Sequence, residues 1–183
     1  MNEVYLISAS TLKSNTPINL NVDNELLKMS ILDAQNIHIQ SLLGGELYRK
    51  ILTLISNDTI GDAGNSVYKT LLDDYLIPST THWAMYECTP YIRYKFMNKN
   101  VGGEDSDNST GTSLDELKYL QNELKQKAEF YGERVVDFVR DNSNDLPEYH
   151  DNDGFDVLPV DDAFDTGLFL DESYGKGKPC SKK

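Results

Sequence analysis

Residues 23–52 read DNELLKMSILDAQNIHIQSLLGGELYRKIL, and the fold class follows from how this stretch is divided. Asp23 or Asn24 caps a helix, because either side chain accepts from the orphan backbone N–H groups of a first turn. Gly44 and Gly45 end it, since glycine takes the positive φ that a helix stop needs at little cost. Glu46 then lies in the first turn of a second helix, where its charge suits the dipole. At 100° per residue, Leu27, Ile31, Ala34 and Leu42 form one apolar stripe. Leu32, Ile39 and Leu43 widen it on one side, Leu26 and Ile37 on the other. Only Asp33, Asn36 and Gln40 make a clear polar ridge. A helix apolar over so much of its circumference is buried from several sides, so residues 23–43 are expected to form the central post of a helical domain.

Working outward, each long apolar stretch carries the helical period. Glu46 to Ile55 turns Leu47, Ile51, Leu54 and Ile55 inward. Residues 56–65 are a loop by composition. Ser66 to Ile77 buries Val67, Leu71, Leu72, Tyr75 and Leu76. Pro78 is expected to separate this helix from a fourth, Ser79 to Asn98, which carries Trp83 and Tyr86 and is kinked at Pro90. Residues 98–112, rich in Gly, Ser, Asn and Asp, read as a long loop. The fifth helix is capped by Thr112 or Ser113, and Ser113 with Glu116 has the capping-box spacing. Its seam runs Leu114, Leu117, Gln121, Leu124, Ala128, Tyr131, Val135, Phe138 in 3-4 spacing. The opposite face is charged except for Tyr119 and Phe130, two aromatics with no place in the seam.

The expectation is therefore an all-α bundle of about five helices over residues 23–141, with extended arms at both ends. Residues 1–22 are an irregular arm, or one holding a short edge strand over Val4–Ile7. Residues 142–183 have no helical period. All their lysines follow their last acid, yet apolar knots recur at Phe155, Val157, Leu158 and Val160, at Phe164, and at Leu168, Phe169 and Leu170. A solvated tail would be poorer in these. The expectation is an acidic arm that stays extended in the free subunit and orders only against a neighbouring surface.

Composition narrows the chemistry. The 183 residues hold 17 Lys and Arg against 30 Asp and Glu, a formal charge of −13. That balance argues against gripping a nucleic-acid backbone, which needs cations to displace condensed counterions. Cys88 and Cys180 make no disulfide framework. No basic, apolar leader opens the sequence, and no apolar run reaches the ~20 residues that span a bilayer. His38 falls in the apolar stripe and is read as a hydrogen-bonded core histidine. His82 and Cys88, six apart, do not share a helix face, so no zinc site is expected. Asp151 to Asp156 resembles half a calcium loop, but Tyr149 and Val160 would fall at its first and twelfth positions and supply no carboxylate. No Ser/His/Asp or Cys/His set assembles. No catalytic residue, metal or cofactor is expected, and the chain reads as a non-enzyme.

The order of segments does resemble a known group. The stretch DNELLKMSILDAQNIHIQSLLGGELYRKIL resembles the long helix of small and apolar residues followed by LG-x-x-LY that opens phage head–tail connector (adaptor, or neck-ring) proteins. The fuller set resembles those of phages of Bacteroidetes, including crAss-like phages: TPINLNVD, THWAMYECTPYIRYKFMNKN, NKNVGGEDSDNST and LDELKYLQNELKQKAEFYGERVVDFV. The resemblance covers residues 10–141 and leaves the C-terminal arm uncovered. It implies a structural virion protein, made in the bacterial cytoplasm. Such subunits form a homo-oligomeric ring, usually a dodecamer, under the portal protein. The ring continues the DNA channel without specific DNA binding and presents a platform to the next neck or tail protein, with no membrane involved. Tyr119, Phe130 and the apolar residues of the arm are then the interface candidates. The alternative from another class is a small cytoplasmic helical regulator that binds a host or phage protein.

Overall fold

The computed structural model describes residues 3–97, 100–103, 114–150 and 157–159. The fold is all-α. Its segments are α1 (Ala9–Asn15), α2 (Asn24–Asp33), a π turn (Ala34–Ile39), α3 (Gln40–Ser56), α4 (Ser66–Thr70), a second π turn (Leu71–Leu76), α5 (Ile77–Arg93) and α6 (Leu114–Asp141). They run as five rods: 9–15, 24–43, 45–56, 66–93 and 114–141. Five is the number expected from the sequence, but not the same five, because one helix was gained at the N-terminus and two fused in the middle.

The break at Gly44 stands where the sequence puts it. Gly44 has φ 75° and ψ 164°, a region that a side chain makes nearly inaccessible. Asp23 caps α2 by accepting from the Glu25 N–H at 3.0 Å. Leu27, Ile31, Ala34, Ile39 and Leu43 are fully buried. Between α2 and α3, however, the helix widens into a π turn, closed by the Gln40 N–H on the Gln35 carbonyl. The extra residue in that turn rotates the succeeding residues by about 100° relative to a straight α-helix. Gln35 is thereby buried and Ile37 is left 56% exposed, the reverse of the simple helical wheel. Met29 is exposed as well. The central post is thus not 23–43 but α5, which packs against α6, α2, α1 and both π turns.

Pro78 does not end a helix. The second π turn, closed by the Ile77 N–H on the Leu72 carbonyl, lies immediately before it. Proline lacks the N–H and crowds the carbonyl four residues back; a widened turn relieves that crowding, and 66–93 continues as one rod. Pro90 lies inside α5 as expected. Beyond Arg93 the chain does not stay helical to Asn98. Tyr94–Met97 pairs antiparallel with Asn100–Gly103, Phe96 opposite Val101, forming a two-stranded ribbon of strands β1 and β2. Two residues separate the strands, and aromatic and β-branched residues favour extended backbone. The proposed caps Thr112 and Ser113 lie outside the described residues.

The described segments on either side of the long helices, residues 3–15 and 142–150 with 157–159, are more firmly held than the sequence suggested. Val4–Ile7 is not a strand. Leu6, Ile7 and Leu12 are buried, and α1 is capped by the Ser8 hydroxyl, which accepts from the Thr11 N–H at 3.0 Å. The Gln35 amide tethers this segment. Its Oε1 accepts from the Leu6 N–H at 2.7 Å, and its Nε2 donates to the Val4 carbonyl at 3.2 Å and to the Tyr48 hydroxyl at 3.4 Å. Backbone groups that would have sought a sheet partner find a buried side-chain amide instead.

At the other end, the boundary at 141 falls inside the fold. Leu146 is fully buried, and Tyr149, in the 3-10 turn Pro147–Tyr149, is 7% exposed. Glu148 accepts from the Tyr68 hydroxyl at 2.7 Å and pairs with Lys50 at 3.5 Å. Further on, the Val157 carbonyl accepts from the Gly45 N–H at 2.9 Å. Because Gly44 breaks the helix, Gly45 opens a new first turn whose N–H has no partner within it; Val157 supplies one. The described part of the acidic arm therefore docks on its own chain.

Candidate interaction surface

The seam foreseen on α6 is the one that packs. Leu117, Leu124, Ala128 and Val135 are buried, joined by Gly132, Val136 and Val139. Leu114 is the exception, 55% exposed at the start of the helix. A Cβ on Gly132 would meet Leu42 Cδ1 at 3.4 Å, so α6 crosses the first long rod closely there. Lower down, Tyr75 from the second π turn packs on Phe138 with ring centroids 4.3 Å apart. The Arg134 guanidinium lies 5.3 Å from the Tyr75 ring and 5.8 Å from that of Tyr131.

The outer face of α6 leaves Tyr119 70% exposed and Phe130 56% exposed. Phe130 meets Tyr131 edge-on, and Tyr131 in turn stacks on His82 at 4.4 Å. Together with Glu123, Gln126 and Lys127 they line an open cleft. Burial, with Lys127 nearby, lowers the pKa of His82 from its ordinary value, so its ring is neutral at physiological pH. Of the other interface candidates, Val157 is half-buried on its own chain and Leu158 is 66% exposed. Phe155, Val160, Phe164, Leu168, Phe169 and Leu170 lie outside the described residues.

A second depression of about 360 Å³ lies between the loop after α1, the C-terminal half of α5 and the start of α6. Ile18, Val22, Cys88, Ile92, Leu117 and Leu120 line it. Ile92 and Leu120 stand on its rim, each more than 40% exposed. Cys88 is buried, and that burial pushes its thiol up to about 12, which removes it from nucleophilic chemistry at neutral pH.

His38 is half-buried, as a histidine serving the core. Its Nε2 lies 2.8 Å from Glu87 Oε1, and its ring stacks on Trp83 at 3.6 Å with 8° between planes. Tyr86 closes the cluster edge-on. The Ser41 hydroxyl donates to the His38 backbone carbonyl, not to the ring. The pair joins the first π turn to α5. Among the described residues, no group of three His, Cys, Asp or Glu side chains is placed to hold a metal ion. No helix among them is long and apolar enough to cross a membrane.

The family described as a family of unknown function, DUF6712, matches residues 39–157. The chain belongs to that family. The match runs from the end of the first π turn to the residue whose carbonyl caps Gly45, so it takes in the Gly44 break, α5, α6 and the segment that folds back behind them. It excludes α1, α2 and everything after Val157. No curated protein matches the chain, and no solved structure does.

Sequence reasoning singled out Tyr119 and Phe130 correctly as aromatics outside the core. It missed the groove, because its walls come from three separated segments and its floor residues read simply as core. It also missed Gln35 and the Glu87 partner of His38, which only the π turn brings into place.

Proposed function

We propose that the chain is a structural component of a phage particle, a non-enzymatic subunit of the ring that joins head to tail. In this reading copies assemble, as a dodecamer by the resemblance, beneath the portal protein in the neck of the virion. Their inner wall continues the DNA channel through which the genome leaves, and their far face receives the next neck or tail protein. The observation that carries the reading is the pair of aromatic rings on the solvent side of a 28-residue helix whose apolar seam is already filled. Exposed aromatics of that size are typical anchors of protein interfaces. The ordered resemblance of residues 10–141 to connector proteins supplies the identity of the assembly. The charge of −13 agrees with a channel wall that lets DNA pass without holding it.

The deciding experiment is mass spectrometry of purified particles. A connector is present in a fixed ratio to the portal protein; absence of the chain from particles overturns the proposal and leaves the cytoplasmic regulator in its place. A finer test is Phe130→Ala, followed by native mass spectrometry of the purified subunit. Loss of the ring with the melting temperature held within about 2 °C is expected, since the exposed ring contributes little to the monomer. Normal assembly removes Phe130 from the interface.

A further inference from the structure

We infer that the ribbon of β1 and β2 is one half of a contact between copies of this chain, and that it docks on the acidic outer face of α6 of the next copy. The inference rests on the reading that copies assemble, and it names what the Phe130 face meets. The ribbon has two strands of four residues, Tyr94–Met97 and Asn100–Gly103. Among the described residues neither strand pairs with anything but the other. One edge of each therefore offers unpaired backbone N–H and C=O groups. Two strands alone are marginally stable in water, so the ribbon gains from a surface to lie on.

Charge selects that surface. From Cys88 to Gly103 the sequence holds three cations, Arg93, Lys95 and Lys99, and no acid. Taking those three positive charges from the formal −13 of the chain leaves −16 on the remaining residues. A lysine in an edge strand discourages pairing with an unrelated strand; what it attracts is an anionic surface. A second copy supplies one. On α6, Glu129, Glu133 and Asp137 recur at four-residue spacing, so they share one row of the helix, and all three are exposed. Glu129 pairs with Lys125 at 3.4 Å, and Glu133 and Asp137 extend the row beyond it. The Arg134 guanidinium lies over the Tyr75 and Tyr131 rings. Phe130 stands beside the row, 56% exposed. The cationic segment has Tyr94 and Phe96 between its charges, so both sides of the contact combine charge with aromatic surface. Nucleic acid is the competing polyanion, but the field of a chain at −13 repels it.

Position makes the contact run from copy to copy. The ribbon leaves the end of α5 at Arg93. Phe130 meets Tyr131, whose ring stacks on His82, eleven residues back on α5 and so about 16 Å away along the helix axis. Two different surfaces of one subunit that fit each other make a head-to-tail contact, the kind that builds rings.

The test is charge exchange in the full chain. Lys95→Glu and Glu133→Lys are made singly and together. Lys118→Glu, at an exposed position near the start of α6, is the control. Self-association is read by sedimentation velocity and folding by thermal melting. Each single change is expected to weaken self-association about tenfold or more, with the melting temperature within about 2 °C of the parent. The double variant is expected to recover to within about threefold of the parent, because every subunit then carries the exchanged pair. Lys118→Glu is expected to associate like the parent. A Lys95→Glu chain that associates as the parent does overturns the inference, and so does a double variant no better than the weaker single. A parent that stays monomeric overturns it too, as does a monomeric parent that binds a DNA duplex through Lys95. None of these outcomes touches the role in the virion, which is judged by the presence of the chain in purified particles.

Discussion

Replacing Gly44 by alanine tests the central reading of the fold. The residue is buried, with φ 75° and ψ 164°. Holding an alanine there costs about 1–3 kcal/mol of backbone strain. The chain has one escape, which is to straighten the helix through residue 44. The Gly45 N–H would then turn to the Ser41 carbonyl, abandon Val157 and redirect α3, at the expense of buried Leu47, Ile51 and Leu54. Neither route is cheap. For a protein of this length each kcal/mol corresponds to about 2–4 °C, so Gly44→Ala should melt about 3–10 °C below the parent by far-UV circular dichroism. Gly61→Ala is the control: nothing lies within 4 Å of its added Cβ and its φ is not positive. If Gly44→Ala melts within 1 °C of Gly61→Ala, the break is not imposed by the backbone and the argument for it fails.

Gly132→Ala should act in the opposite direction, raising stability by about 0.5–1 kcal/mol in thermal melts, since alanine removes the mid-helix glycine penalty and its methyl meets the movable Leu42 side chain at 3.4 Å and the Trp83 indole nitrogen at 3.8 Å, neither a clash. Leu146→Ala should cost about 2–5 kcal/mol in urea denaturation, whereas Leu158→Ala, 66% exposed, should cost less than about 0.5 kcal/mol; equal effects would return residues 142–150 to the status of an arm. His82 has a folded pKa below its ordinary 6.5, so its contribution is complete above about pH 6.5 and is lost as pH falls, because the unfolded chain takes up the proton first. Between pH 7 and 5 the parent should therefore lose more stability than His82→Phe, measured by urea titration at each pH.

What the sequence disclosed was whatever obeys a fixed 100° step. The stripe Leu27, Ile31, Ala34, the glycine stop and the seam Leu117, Leu124, Ala128, Val135 all do, and Tyr119 and Phe130 were visible because they violate that seam. The π turns do not. Each adds a residue to a turn, so the phase carried from Leu27 is wrong by Ile37, and a proline that should stop a helix is absorbed at Pro78. Nothing in local composition announces such a turn, because it is chosen by what it buries: Gln35 against the N-terminal backbone, Leu71 and Leu76 against the neighbouring helices. The docked segments around Leu6 and Leu146 were hidden for a related reason. Leu6, Leu146 and Tyr149 sit in stretches without a period, and their burial depends on surfaces far away in the chain.

The clasp between Gly45 and Val157 also sets an order of events during synthesis. The helices draw on local contacts and can form as each emerges, but the first turn of the 45–56 rod waits for a carbonyl encoded 112 positions later. Leu146 and Tyr149 likewise arrive after every helix they cover. Closing loops of that length is slow relative to forming helices. A nascent chain that has released α5 but not yet the residues behind α6 holds a core open on one side, where α3 lacks the 3-10 turn that packs on it and Tyr68 lacks Glu148. In that interval an apolar surface that the finished fold covers is open to a chaperone or to another unfinished copy.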